Sequence, residues 1–225
     1  MNEAFAYVER SAPGEIPDIP GGWDHLFNEM LIDITIIGII FTVITVYLLI
    51  RYRRRHPGQE GNPPKLTTAA AIGWAIIPAF IFMADDFYLA AEGWTLFNEY
   101  RRVPENAYEV KVEGSMWSWR FIYPEGVESF GELRVPAGTP VVVRMISKDV
   151  VHSFFIPDFR VKQDMMPGRM TYLWFYPKEP GEHLITCAEY RGLMHSGMKG
   201  MIKVVSQDEF KNWIEAETEK KNNNT

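Results

Sequence analysis

The chain has one cysteine, Cys187, and it opens the run CAEYRGLMHSGM, with a histidine eight positions on (His195) and a methionine eleven on (Met198). Thiolate, imidazole and thioether together are the ligand set of a copper electron-transfer site. A second histidine, His152, lies in SKDVVHSFFIP. Two histidines, a thiolate and a weak axial methionine make the trigonal His₂Cys arrangement of a mononuclear copper centre. Arg191 stands four residues after the cysteine, where a second soft ligand would be expected. Taken singly, each of these residues has a plainer explanation. A lone cysteine is commonly a small buried side chain, a methionine commonly filler, and a histidine at a strand end commonly a hydrogen-bonded one. His183 is of that last kind: it sits in a turn and is assigned no role. The combination is what carries weight, provided that one framework brings the loops together.

That framework is written in residues 103–206. AYEVKVEG and GELRVPAGTPVVVRMIS alternate apolar and polar residues, and TYLWFYP and GEHLITCAEY are further short strand candidates. Pro-Ala-Gly-Thr-Pro (136–140), Pro-Gly (167–168) and Pro-Gly-Glu (180–182) punctuate them. Short strands at this spacing predict an antiparallel β-sandwich or barrel of about 100 residues. Residues 207–225 read as a short amphipathic helix followed by a polar tail.

Ahead of the sandwich lie two segments that belong in lipid. Met30 to Ile50 is apolar except for Asp33, long enough to cross a hydrocarbon core of roughly 30 Å as a helix. A second run, Leu66 to Ala84, contains Trp74 and Pro78 and meets Asp85 and Asp86, with the helix expected to continue to about Trp94. Between them stands RYRRRH (51–56) and a Gly/Pro-rich link. Cationic residues gather in short cytoplasmic loops, so this loop is expected inside, with residues 1–28 and everything after about 95 on the external or periplasmic side. Residues 29–94 are thus a transmembrane hairpin, and the whole is an α+β membrane protein: two helices, then an all-β domain. Asp33 and the Asp85–Asp86 pair are costly against lipid and are expected to face a protein partner or the interface.

Formal net charge is -6 with both signs spread along the chain, which excludes the basic stripe of a nucleic-acid-binding protein. No glycine motif for phosphate or dinucleotide, no internal repeat and no nucleophile–base pairing stands out. A single cysteine excludes an internal disulfide.

With hairpin and sandwich in that order, the chain resembles subunit II of the haem-copper oxidase superfamily, through which electrons enter cytochrome c oxidase. Three segments carry the resemblance. GSMWSWRF (114–121) is similar to the aromatic cluster beneath that family's copper centre, and DVVHSFFIPDFRVKQDMMPGR (149–169) to the segment with its first histidine ligand. CAEYRGLMHSGM is similar to the Cys-x-Glu-x-Cys-x-x-x-His-x-x-Met run that completes the centre. The resemblance implies a cupredoxin-like domain, a haem-bearing subunit I as partner, and His152, Cys187, His195 and Met198 as metal ligands. It implies that Glu189 supplies a backbone carbonyl to copper and its carboxylate to a magnesium ion at the subunit I interface. It also implies that Trp117 or Trp119 contacts subunit I on the electron path, against the plainer reading of both as packing residues on one strand face.

The family centre is binuclear, bridged by two thiolates, and the second bridging cysteine falls at Arg191. A guanidinium is always protonated and offers no lone pair, and it repels a neighbouring cation. The copper pair is therefore expected to be lost. Two states follow. In one, a single copper sits in His152, Cys187, His195 and Met198, and Arg191 turns outward. In the other, no copper binds and Arg191 fills the vacated volume, pairing with the Cys187 thiolate or a carboxylate, as a buried guanidinium must. The copper-free quinol oxidases of the superfamily are a precedent for the second.

The expected function is a non-catalytic subunit II of a terminal oxidase or a related nitric oxide reductase, with haems and chemistry on the partner and cytochrome c or quinol as donor. The competing expectation, from another class, is a membrane-tethered copper-binding or copper-delivery protein outside any oxidase.

Overall fold

The computed structural model describes residues 14, 16–61, 65–190, 192 and 194–223. The chain divides into two compact units, one of them Gly21–Leu96 and the other formed by the residues before and after it.

In the first unit, helices α1 (Ile19–Arg51) and α2 (Thr68–Arg101) are each long enough to cross a membrane, and their apolar windows are 0% buried. Side chains such as Ile39, Phe41, Leu49, Phe80 and Phe82 are more than half exposed, which a pair of core helices would not allow. Pro78 lies inside α2 without ending it, as transmembrane helices permit. Helix α1 starts at Ile19, well ahead of the apolar run, and α2 continues past Trp94 to Arg101. Contacts between the helices accompany these extra turns. The Tyr88 hydroxyl donates to Glu29 at 3.1 Å, and His25 approaches the same carboxylate at 3.2 Å. Gly22 admits α2 closely, since a Cβ there would stand 2.6 Å from Leu96 Cδ1. Asp33 on α1 and Asp85 on α2 lie near enough to interact across the hairpin.

The second unit is a sandwich of two five-stranded sheets. Its strands are β1 (Tyr108–Ser115), β2 (Ser118–Ile122), β3 (Glu128–Phe130), β4 (Glu132–Pro136) and β5 (Val141–Ser147), then β6 (His152–Ile156), β7 (Val161–Met165), β8 (Thr171–Phe175), β9 (Gly181–Cys187) and β10 (Lys199–Val205). One sheet runs β3-β2-β1-β5-β8, the other β4-β10-β9-β6-β7. The expectation of a wholly antiparallel sandwich is corrected: β1 pairs with β5, and β4 with β10, in parallel. The cause is the path of the chain. After β3 it crosses to the second sheet as β4, then returns beside β1 running in the same direction.

Inward residues of both sheets fill the core, among them Val112, Trp119, Phe121, Phe154, Leu173 and Ile185, all at most 1% exposed. At full burial each large apolar side chain contributes about 1.5–3 kcal/mol. Helix α3 (Gln207–Asn223) covers part of the sandwich with Phe210 and Ile214. It begins where the Ser206 hydroxyl accepts the Glu209 amide at 3.2 Å, half of a capping box. The last turn of α2 folds with this unit. Trp174 Nε1 donates to the Tyr100 carbonyl at 2.8 Å and the Tyr172 hydroxyl to that of Arg101 at 3.1 Å, satisfying carbonyls that a helix end leaves open.

Candidate metal centre

Strand pairing decides which loops meet. Strand β6 pairs with β9 so that Phe154 stands opposite Cys187, and the Ala188 amide donates to the Ser153 carbonyl at 3.0 Å. The Cys187 amide donates to the Met198 carbonyl at 3.3 Å, so the two ends of the Cys187–Met198 run are cross-strand neighbours. His152 opens β6, Cys187 closes β9, Met198 immediately precedes β10, and His195 begins a 3₁₀ turn, His195–Gly197. All four expected ligands thus belong to one end of one sheet. His183 lies near the other end of β9, hydrogen-bonded to Asp158 at 2.8 Å and edge-on to Phe159, and takes no part.

The histidines carry free donors. His152 is fully buried and its Nε2 lies 2.8 Å from Asp149 Oδ1, while its Nδ1 is buried without a hydrogen-bond partner. His195 Nδ1 is likewise buried and unpartnered. A buried polar atom left so costs about 1–3 kcal/mol. Each of these nitrogens is thus available as a metal ligand. Cys187 is 8% exposed, its thiol 3.7 Å from the Glu189 carbonyl, and Met198 is 1% exposed. In donor type and free lone pairs these residues fit copper. They are not gathered into a closed shell: among the described residues, no three His, Cys, Asp or Glu side chains form a group that could hold a metal ion. Arg191 lies outside the described residues.

The surroundings of His152 come from elements that sequence reading did not connect. Asp149 accepts the Met116 amide at 2.7 Å as well as approaching His152, and so ties the β1–β2 turn to the ligand loop. Partial burial works against its ionisation, but the Met116 amide, His152 and the Val150 amide hold its carboxyl below the usual range. Beneath the imidazole, Gly114 leaves no room: a Cβ would lie 3.2 Å from Met165 Cε and 3.3 Å from both His152 Cδ2 and Trp119 Cζ3. One residue earlier, Glu113 is buried among Lys148 (2.9 Å), Arg120 (3.1 Å) and Lys111 (3.6 Å). Burial opposes its charge, but Lys148 above all, then Lys111 and Arg120, keep its carboxyl below the ordinary glutamate value. The only sequence cue to Asp149 is its place three residues before a candidate histidine; Glu113 and Gly114 leave none.

Trp117 and Trp119 do not share a strand face. Trp119 is on β2, fully buried, 6.0 Å from His152 and 5.2 Å from Phe154 between ring centres, edge-on to each. Trp117 lies in the preceding turn and is half-buried. Two positions displaced from strand geometry separate a packing residue beneath the ligands from a rim residue. Glu189 and Tyr190 are exposed, the tyrosine 78% so and edge-on to His195.

Comparison with known proteins agrees along both units. The family profile of the cytochrome c oxidase subunit II transmembrane domain matches residues 17–88, and that of its periplasmic domain residues 127–205. Among curated relatives, cytochrome c oxidase subunit 2 of Synechocystis sp. is 29% identical over 86% of this chain and 71% of its own length. The alternative cytochrome c oxidase subunit 2 of Bradyrhizobium diazoefficiens is 27% identical over 88% and 82%. Among solved structures, the periplasmic domain of subunit II of cytochrome oxidase from Bradyrhizobium japonicum superposes with a TM-score of 0.50 at 30% identity, covering 52% of this chain and 98% of that one. In this family the two helices span the membrane, the cupredoxin-like domain is periplasmic, and the partner is the haem-bearing subunit I. The chain belongs to the cytochrome c oxidase subunit II family of the haem-copper oxidase superfamily.

Proposed function

We propose that this chain is a subunit II whose binuclear copper centre is lost, and which holds at most one copper, in His152, Cys187, His195 and Met198. The observation that carries the reading is Arg191, four residues after Cys187 where the family run has its second bridging cysteine. One thiolate with a guanidinium beside it cannot bridge two cations.

When bound, a single copper supplies one-electron transfer. The chain's own residues do the rest. Asp149 holds the proton on His152 Nε2 and leaves Nδ1 as the donor. Trp119, Phe154 and Met165 keep water from that imidazole. The backbone bond between Cys187 and Met198 fixes the two sulfur positions against each other. The electron donor in this reading is a cytochrome c, as the names of the relatives suggest; with no copper bound, quinol or another subunit supplies subunit I directly. Reduction of O₂ or NO takes place at the haems of the partner, and this chain catalyses nothing alone. Glu189 is exposed beside the centre and is the candidate magnesium ligand toward subunit I.

Metal analysis with EPR on the purified oxidase complex tests this. The expected result is one copper or none beyond that of subunit I, with any such copper removed by Cys187→Ser. Two additional coppers with a seven-line mixed-valence spectrum would overturn it. Glu189→Ala is expected to weaken magnesium retention or subunit association; unchanged assembly and metal content would remove that role.

A further inference from the structure

The cytoplasmic end of α1 carries more positive charge than the described structure neutralises. Arg51, Arg53, Arg54 and Arg55 are all exposed, and among the described residues none of them forms an ion pair. Arg51 lies over the Tyr52 ring at 5.4 Å, and Arg54 spends one N–H on the His56 carbonyl at 3.2 Å. These contacts leave the guanidinium charges uncompensated. The Arg55 amide donates to Gln59 Oε1 at 2.8 Å, closing the chain back just beyond the helix end.

Directly before these arginines, a shallow groove runs along one face of α1 between Thr45, Leu48, Leu49, Tyr52 and Arg53. Thr45, Leu48 and Leu49 share one stripe of α1, the Tyr52 amide extends it by donating to the Leu48 carbonyl at 2.9 Å, and Arg53 stands just past the helix end. The groove is apolar through Leu48 and Leu49, which are 45% and 67% exposed, and ends in a phenol and a guanidinium. A face of this kind matches a molecule with a hydrocarbon chain at one end and an anion at the other. A guanidinium offers paired N–H donors to phosphate oxygens, and juxtamembrane arginines attract anionic headgroups.

We propose that this stripe is a binding site for an anionic phospholipid of the cytoplasmic leaflet. One acyl chain lies along Leu48 and Leu49, and the phosphate is held by Arg53 and the Tyr52 hydroxyl, with Arg51, Arg54 and Arg55 around it. Charge complementarity selects this occupant. The arginines demand negative charge, and the apolar groove leading into them demands that the charge be attached to a chain.

The test uses the assembled oxidase complex in nanodiscs that mix phosphatidylcholine with phosphatidylglycerol, and native mass spectrometry to count retained lipids. Wild type is expected to retain phosphatidylglycerol in preference to phosphatidylcholine by tenfold or more. Exchange of Arg53, Arg54 and Arg55 for glutamine is expected to abolish that preference, so that the two lipids are retained alike. Inorganic phosphate at millimolar concentration is expected not to compete, which separates a lipid site from an anion site. Equal retention of the two lipids by wild type would overturn the proposal without reference to any variant. So would displacement by inorganic phosphate, full preference in the triple variant, or protection of the arginines by a carboxylate surface of the partner subunit.

Discussion

Asp149 Oδ1 stands 2.8 Å from His152 Nε2, and the other nitrogen of that buried ring, Nδ1, touches no hydrogen-bond partner. A carboxylate held in its ionised form can only accept, so Nε2 carries the hydrogen that faces Asp149, and Nδ1 is the ring nitrogen left for another partner. A carboxylate behind a ligating histidine fixes its tautomer and raises its basicity.

Replacing Asp149 with alanine is therefore expected to release the tautomer. Nitrogen chemical shifts of the His152 ring, which report which nitrogen carries hydrogen, should move from the Nε2–H form to a mixture. Copper affinity should fall by about 10–100-fold. Unchanged ring shifts would show that the pair is incidental.

Gly114→Ala would place a methyl group 3.2–3.3 Å from Met165, His152 and Trp119, all fully buried. Overpacking of this sort costs about 1–3 kcal/mol. Thermal unfolding of the complex should register the loss in this subunit, and the His152 resonances should shift with it. A wild-type melting temperature would mean that the floor yields freely.

Glu113 gives a pH dependence with a definite sign. Its carboxyl is held below the ordinary value of 4.5 in the folded chain by Lys148, Lys111 and Arg120. The stabilisation is complete above the unfolded value and is lost as pH falls through the folded one. Glu113→Gln should therefore destabilise by about 1.5–3 kcal/mol near neutrality. Denaturant titrations of variant and wild type should converge as pH falls through the lowered folded-state value; a gap that stays constant into acid would contradict the ionic account.

Arg191→Cys restores the second thiolate of the family run. Uptake of two coppers and a mixed-valence spectrum is the expected outcome, read by metal content and EPR. A variant that still takes one copper or none would place the divergence in more of the segment than this residue.

Much of this protein could be read from its sequence, for physical reasons that differ by region. The hairpin was legible because lipid demands a long apolar run and the arginine cluster marks one end. Its outer turns were not, since Gly22, Glu29 and Tyr88 act through contacts between helices that no single-helix pattern encodes. The candidate ligands Cys187, His195 and Met198 could be picked out because they sit in one short run. Their support was not: Gly114, Trp119, Asp149 and Phe154 come from four places in the chain and meet only through the crossover that makes β1 and β5 parallel. The displacement of Trp117 into a turn likewise follows from where β1 ends, which alternation alone does not locate.

The hydrogen bond from Cys187 to Met198 closes the ten intervening residues into a detour that leaves the ladder and rejoins it at the same rung. Mutation can therefore rewrite the detour from cysteine to arginine without disturbing the pairing of β9 with β10. Residues of that detour can vary while the rungs on either side, which hold the sheet together, stay as they are.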